Sequence, residues 1–178
     1  MTATATREAT VFVPGHITGF FSAHHTDDPT TTGSRGAGLT ITTGVELHVR
    51  RGPTVTPEIK LNGKSISIEA VDNVIDILEI GDINVTAQTA LPLGAGFGVS
   101  GAMTLGVAFG SNAVAAETNT RAESALITAA HCAEVRAGTG LGDVVAQARG
   151  GFQTGVEPGA PHVGQLDEIT ATPRVEYC

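Results

Sequence analysis

The chain has 178 residues, 41% of them hydrophobic, and a formal net charge of −8. That is enough apolar material for one core, and the acidic balance excludes nucleic acid and anionic membrane as expected partners, because both require clustered basic residues. Cys132 and Cys178 have no paired spacing, and neither a secretory apolar segment nor a membrane-length run occurs, so the expected location is cytoplasmic.

Residues 1–7 are small and polar and predict a frayed start. Ala9 to Val13 reads as a strand. His24-His25-Thr-Asp27-Asp28 invites a metal site, but adjacent histidines seldom point at one ion, and the flanking Thr, Pro and Gly predict a solvated loop. From Leu39 to Val49, Leu39, Ile41, Val45, Leu47 and Val49 alternate with other residues, predicting one or two strands. Asn62-Gly63 between Ile59-Lys-Leu61 and Ser65-Ile-Ser-Ile68 is a hairpin signal. Val71 to Leu78 predicts a short helix, and the alternation of Ile83, Val85 and Ala87 a half-buried strand. Ser100 to Ala116 is rich in Ala, Leu, Met and Val at helical spacing. Thr120 followed by Glu123 forms a capping-box pattern, opening a helix that runs to about Ala137 and ends at Gly138. Val144 to Ala148 predicts a further strand. One α+β domain over residues 1–178 accounts for these elements, with no repeat or linker.

Between the strand at 83–87 and the helix from Ser100 lies Pro92-Leu-Gly-Ala-Gly-Phe-Gly-Val-Ser-Gly-Ala-Met103. Gly94, Gly96 and Gly98 allow backbone angles closed to other residues and let amide N–H groups approach a charged oxygen. The helix start adds free N–H groups and a positive dipole end, so the segment reads as a phosphate-binding loop. A Walker-type loop is excluded, because it needs a lysine after the last glycine and no lysine follows Lys64. Gly96-Phe-Gly98-Val-Ser-Gly101 matches the dinucleotide pattern G-x-G-x-x-G. The acidic residue expected about 20 positions on, at the end of the next strand, is matched only by Glu117 within or just beyond the helix.

The second long helix carries Ile127, His131 and Glu134 at i, i+4 and i+7, placing the imidazole and carboxylate on one face where they can line one site. Gly138-Thr-Gly-Leu-Gly-Asp143 follows as a turn able to bring Asp143 back beside Glu134.

With these landmarks in order, the chain resembles the GHMP kinase superfamily (galacto-, homoserine, mevalonate and phosphomevalonate kinases), whose second motif is Pro-x-Gly-x-Gly-Leu-Gly-Ser-Ser-Ala. Here Phe97, Val99 and Gly101 depart from the pattern and Ser100 matches its second Ser. Val13-Pro-Gly-His16-Ile-Thr-Gly-Phe-Phe21 resembles the N-terminal substrate motif, with His16 where an Arg or Lys is usual. With Gly33-Ser34-Arg35-Gly-Ala-Gly38, His131-Cys-Ala-Glu134 and Gly138-Thr-Gly-Leu-Gly-Asp143-Val-Val-Ala-Gln147, the similarity covers about residues 10 to 160 and is greatest to archaeal members that phosphorylate pantoate for coenzyme A synthesis.

The resemblance implies the N-terminal lobe of that fold, ribosomal-protein domain 2-like, a mixed sheet with helices packed on one side. It implies ATP and Mg²⁺ as cofactors and a small alcohol as partner, with a homodimer compatible. Pro92, Gly94, Ala95, Gly96, Phe97, Gly98, Ser100 and Gly101 would bind nucleotide, and Ser100 and Glu134 would hold Mg²⁺. Asp143 would assist the acceptor hydroxyl, making Asp143, Glu134 and Ser100 the catalytic set. Ser34, His131, His16 and Arg149 are the candidates for the substrate, although the family's carboxylate-binding Arg is expected where Thr154 and Gly155 stand.

Family members have nearly twice this length, and no third glycine-rich motif follows Asp143, so a C-terminal lobe is expected to be absent. A mevalonate or homoserine kinase, or a nucleotide-binding lobe without turnover, are the alternatives. Two lysines against 18 Asp and Glu resemble the composition of proteins from salt-loving archaea.

Overall fold

The computed structural model describes residues 8–52, 57–81, 83–115 and 120–169. The expected frayed start, the helix end at Ala116, Glu117 and Cys178 lie outside the described residues.

The architecture is one mixed sheet with helices on one face. Strand β1 (Glu8–His24) runs antiparallel to β2 (Gly33–Arg51) along nearly its whole length. On its other side, β2 has two different neighbours. Its C-terminal half, Glu46 to Arg51, pairs antiparallel with β5 (Ile83–Gln88), and Gly36 to Leu39 pair with β6 (Phe152–Glu157), which in turn carries β7 (Gln165–Glu168). A parallel pairing joins β5 to β3 (Glu58–Leu61), and β3 turns into β4 (Lys64–Ser65). The turn is the Asn62-Gly63 hairpin, with φ of 49° and 77°, values a primed turn requires and this residue pair tolerates.

Burial changes parity within β2. Val45, Leu47 and Val49 are fully buried while Leu39 is exposed, and at the other end Gly38 is the inward residue. The change falls at the irregularity at Pro14/Gly15, where β1 skips from Gly44 to Ile41 of its partner. Pro14 lacks an N–H to give a ladder, which suits it to such an irregularity. Alternation from 39 to 49 is therefore real as strand, but its first half faces elsewhere.

Helix α1 (Glu69–Ile77) fills the expected position, and α2 (Val99–Val114) begins one residue earlier than its expected start. Of the four helices among the described residues, α2 is the most deeply placed: Met103, Leu105, Val107 and Val114 are buried. A Cβ at Gly106 would overlap Leu47 and one at Gly110 would overlap Val49, so the two glycines, four apart on one face, let the helix lie close on the sheet. Helix α3 (Glu123–Ala137) packs on α1 and α2 and ends, as expected, at Gly138 in the left-handed conformation, φ 66°.

Two local expectations are corrected. No capping box forms: α3 starts with Ala122 at the N-cap and has no side-chain cap bond. Instead Asn112, near the end of α2, accepts from the Arg121 amide at 2.7 Å and so fixes the approach to α3. The segment expected as a strand at Val144 to Ala148 is helix α4 (Asp143–Arg149). Val144, Ala146 and Gln147 turn inward there, and contacts with β1, α2 and α3 outweigh the β preference of two adjacent valines.

Candidate active site

The glycine-rich segment adopts the geometry its composition requires. Gly94, Gly96 and Gly98 have φ of 78°, 81° and 66°, and a Cβ on Gly94 or Gly96 would meet nothing within 4 Å. Those residues are selected for backbone angle and for an open approach, not for packing. Gly98 is the N-cap of α2 and offers no side-chain acceptor, which leaves the first amides of a 16-residue helix available to an anion.

Ser100, in the first turn of α2, donates to Glu134 Oε1 at 2.7 Å. Thr104, one turn later, donates to the same oxygen at 2.9 Å, and Thr139 donates to Oε2 at 2.8 Å. Glu134 is only 2% exposed, so three hydroxyls replace the water it has given up. Thr104 and Thr139 were not among the expected site residues. Thr104 was legible, since it lies at i+4 from Ser100 and must share its face of the helix.

The other half of the site is a cavity of about 330 Å³ lined by His16, Thr18, Phe20, Ser34, Gln153 and Asp143, with the Gly138 to Gly142 turn as one wall. Asp143 is the first residue of α4, and Oδ1 lies 3.2 Å from His16 Nδ1 on β1. The structure thus brings Asp143 beside His16. The same turn reaches Glu134 through Thr139.

Glycine loop, β1 and α4 are tied together at one point. Gln147 Nε2 donates to the Pro14 and Gly98 carbonyls, both at 2.9 Å, while the His16 amide donates to the Phe97 carbonyl at 3.0 Å. Gln147 stood in the motif but had no expected role. Its position at i+4 from Asp143 is informative only once residues 143–149 are known to be helical.

Two expected substrate residues lie elsewhere. His131, 1% exposed, sits in the interior with Nε2 donating to the Thr32 carbonyl at 2.9 Å, and it does not line the cavity. Burial pushes its pKa below the usual histidine value, against a smaller opposing effect of the Thr32 and Pro29 carbonyls, which leaves it neutral at pH 7. Although His131 and Glu134 share one helix, they serve different neighbours. Arg149 ends α4 and lines an adjacent groove that shares Ser34, Leu141 and Gly142 with the cavity. Arg35 is exposed and engaged with Glu157 at 2.9 Å. Around His24 and Asp28 the chain forms a turn in which Asp28 accepts from the Thr30 amide and hydroxyl. Among the described residues, no group of three or more His, Cys, Asp or Glu is placed to hold a metal ion by itself.

The donor set near α2 nonetheless fits Mg²⁺. A buried carboxylate and a hydroxyl are hard oxygen ligands, and this ion characteristically keeps waters and substrate phosphates for the remaining positions. The adjoining open glycine loop is where phosphates would lie.

Residues 65–151 match the model of the GHMP kinases N terminal domain. The chain belongs to the GHMP kinase family and carries its N-terminal α+β domain. It is 39% identical over 155 residues to the pantoate kinase of Methanocaldococcus jannaschii, covering 85% of this chain and 54% of that protein. It is 31% identical over 169 residues to the pantoate kinase of Thermococcus kodakarensis, covering 89% and 55%. A solved phosphotransferase related to the CoA biosynthesis pathway superposes with a TM-score of 0.83 at 28% identity, over 93% of this chain and 58% of that one. Homoserine kinase from Cytophaga hutchinsonii, at 18% identity and a TM-score of 0.63 over 95% and 54%, shares the fold. The chain spans about half the length of the curated relatives it matches. Among the described residues no helix is long and apolar enough to cross a membrane.

Proposed function

We propose that this domain binds Mg-ATP on the Gly94 to Ser100 loop and directs phosphoryl transfer to the primary hydroxyl of pantoate, forming 4-phosphopantoate. The observation that carries the reading is the adjacency of two unlike half-sites: an anion-accepting loop with the Ser100–Glu134 pair, and a cavity bordered by Asp143. Phosphoryl transfer asks little covalent chemistry of a protein and much positioning and charge neutralisation, which matches what these residues offer. When bound, Mg²⁺ neutralises charge on the β- and γ-phosphate oxygens. Ser100 and Glu134 would hold it, with Thr104 and Thr139 fixing the carboxylate between them.

Asp143 accepts the proton of the acceptor hydroxyl, a role commonly worth ~10²–10⁴-fold in rate. The cavity suits a small hydroxy acid: Ser34 and Thr18 offer polar contacts, and Phe20, Leu141, Ala146 and Leu166 offer an apolar wall for the gem-dimethyl group. Relatives named pantoate kinase support this acceptor over mevalonate or homoserine.

ATP-dependent phosphorylation of pantoate, mevalonate and homoserine is to be assayed in high salt, with Mg-ATP and NAD⁺ titrated in parallel. Turnover of pantoate and preference for Mg-ATP are expected. Tighter NAD⁺ binding removes the kinase reading, turnover of another alcohol reassigns the acceptor, and Mg-ATP binding without transfer leaves a nucleotide-binding lobe.

A further inference from the structure

We infer that His16 is the positioning residue for Asp143, acting through Nδ1, and that it does not serve as the ligand of the substrate carboxylate. The inference rests on the proposed role of Asp143 as proton acceptor.

His16 is 6% exposed, and Nδ1 is buried with no well-aligned hydrogen-bond acceptor; the carboxylate oxygen of Asp143 stands 3.2 Å away. A buried N–H strongly favours a partner. The ring has little freedom to find another one. Its backbone amide is bonded to the Phe97 carbonyl in the glycine loop. On the opposite edge, Nε2 and Cε1 lie against Gly38, where a Cβ would come within 2.5 Å and 2.8 Å of them. The Asp143 side chain is 31% exposed and is the freer member of the pair. A slight rotation of that carboxylate aligns Oδ1 with the Nδ1 proton and leaves the other oxygen to accept from the acceptor hydroxyl. Because His16 is also attached to the glycine loop, one residue sets the distance between the phosphate-binding backbone and the proton acceptor.

The two edges of the ring allow a direct test, since Asn places an amide near Nδ1 and Gln near Nε2. His16→Asn, His16→Gln and His16→Ala are compared in kcat and KM for pantoate, alone and combined with Asp143→Asn. Loss of alignment is expected to lower kcat about 10²-fold in the Gln and Ala variants, with KM for pantoate little changed, while the Asn variant retains most of the turnover. Adding His16→Ala to Asp143→Asn should cost nothing further, because the two residues act as one unit. Retained kcat in the Gln variant with a raised KM in the Asn variant would overturn the inference and make Nε2 a substrate ligand.

An independent reading is the ¹⁵N spectrum of labelled histidines in the unliganded chain, with His16 assigned from the Asn variant. A proton on Nδ1 that responds to Asp143→Asn is expected. An Nε2-protonated ring indifferent to Asp143 overturns the pairing even in an active protein. An inactive wild-type chain showing the coupled signal instead sinks the kinase reading and leaves the pairing standing.

Discussion

Glu134 shows how a charged side chain is kept inside this protein. At 2% exposure it has lost nearly all water, and an uncompensated carboxylate would be costly; Ser100, Thr104 and Thr139 supply three short donor bonds in its place. Each donor belongs to a different turn of structure, so the carboxylate also records whether α2, α3 and the Gly138 to Gly142 turn are correctly assembled. Asp143 lives differently, partly exposed at a cavity wall and free to exchange partners. Asp143 and the Ser100 partner of Glu134 should separate in their effects. Asp143→Asn is expected to lower phosphoryl transfer by ~10²-fold or more, with Mg-ATP affinity nearly intact, because the change keeps shape and removes the proposed proton acceptor. Ser100→Ala is expected to weaken Mg-ATP binding instead. Calorimetric titration alongside turnover decides between them, and near wild-type turnover in Asp143→Asn removes that residue from the mechanism.

At the scale of elements, three pieces of structure meet at Gln147. From α4 it donates to a carbonyl on β1 and to the carbonyl of Gly98 at the start of α2. The Pro14 carbonyl sits at the β1 register shift, and the Gly98 carbonyl, at the left-handed N-cap, accepts from the Ala102 amide at 2.9 Å as well as from Gln147. The loop that would hold phosphate is thereby held by the helix that carries Asp143. Gln147→Leu fills similar space but takes this donor from both carbonyls; Gly98 keeps its bond from Ala102, whereas the loss at Pro14 is expected to cost about 1–3 kcal/mol, the usual penalty for a buried group left unsatisfied. Lower denaturation midpoints and weaker Mg-ATP binding are expected together. Unchanged nucleotide affinity in a destabilised variant would show that the link serves folding alone.

For the whole molecule, a net charge of −8 works against the anions proposed for its site. Attraction must be local: the uncapped backbone amides at the start of α2 and the polar groups of the cavity can supply it, while Arg35, Arg50 and Lys60 are engaged with nearby carboxylates on the surface. Acidic surface groups repel one another over a Debye length of ~30 Å at 0.01 M salt and ~3 Å at 1 M. The melting temperature is therefore expected to rise as KCl is raised across that range. A flat or falling profile in thermal melts would show that self-repulsion does not limit stability.

Residues 83–88, 99–114 and 123–137 were readable as elements because their patterns are local, and the glycine loop because three glycines before an apolar helix leave few other uses. Ser100 and Glu134 were readable through the family motif, and Thr104 by helical spacing alone. Three features could be decided only by the folded chain. Residues 144–148 became helical because the docking of α4 overrode the strand preference of Val144 and Val145. The pairing of His16 with Asp143 depends on a strand irregularity at Pro14 and on where α4 lands, neither of which has a sequence period. His131 and Glu134 share a helix in sequence terms, yet one faces the Thr32 carbonyl and the other the hydroxyls of α2. Spacing along a chain orders side chains around one element, whereas a site is made where several elements meet, and that meeting is set by packing and by the demand that buried polar groups find partners.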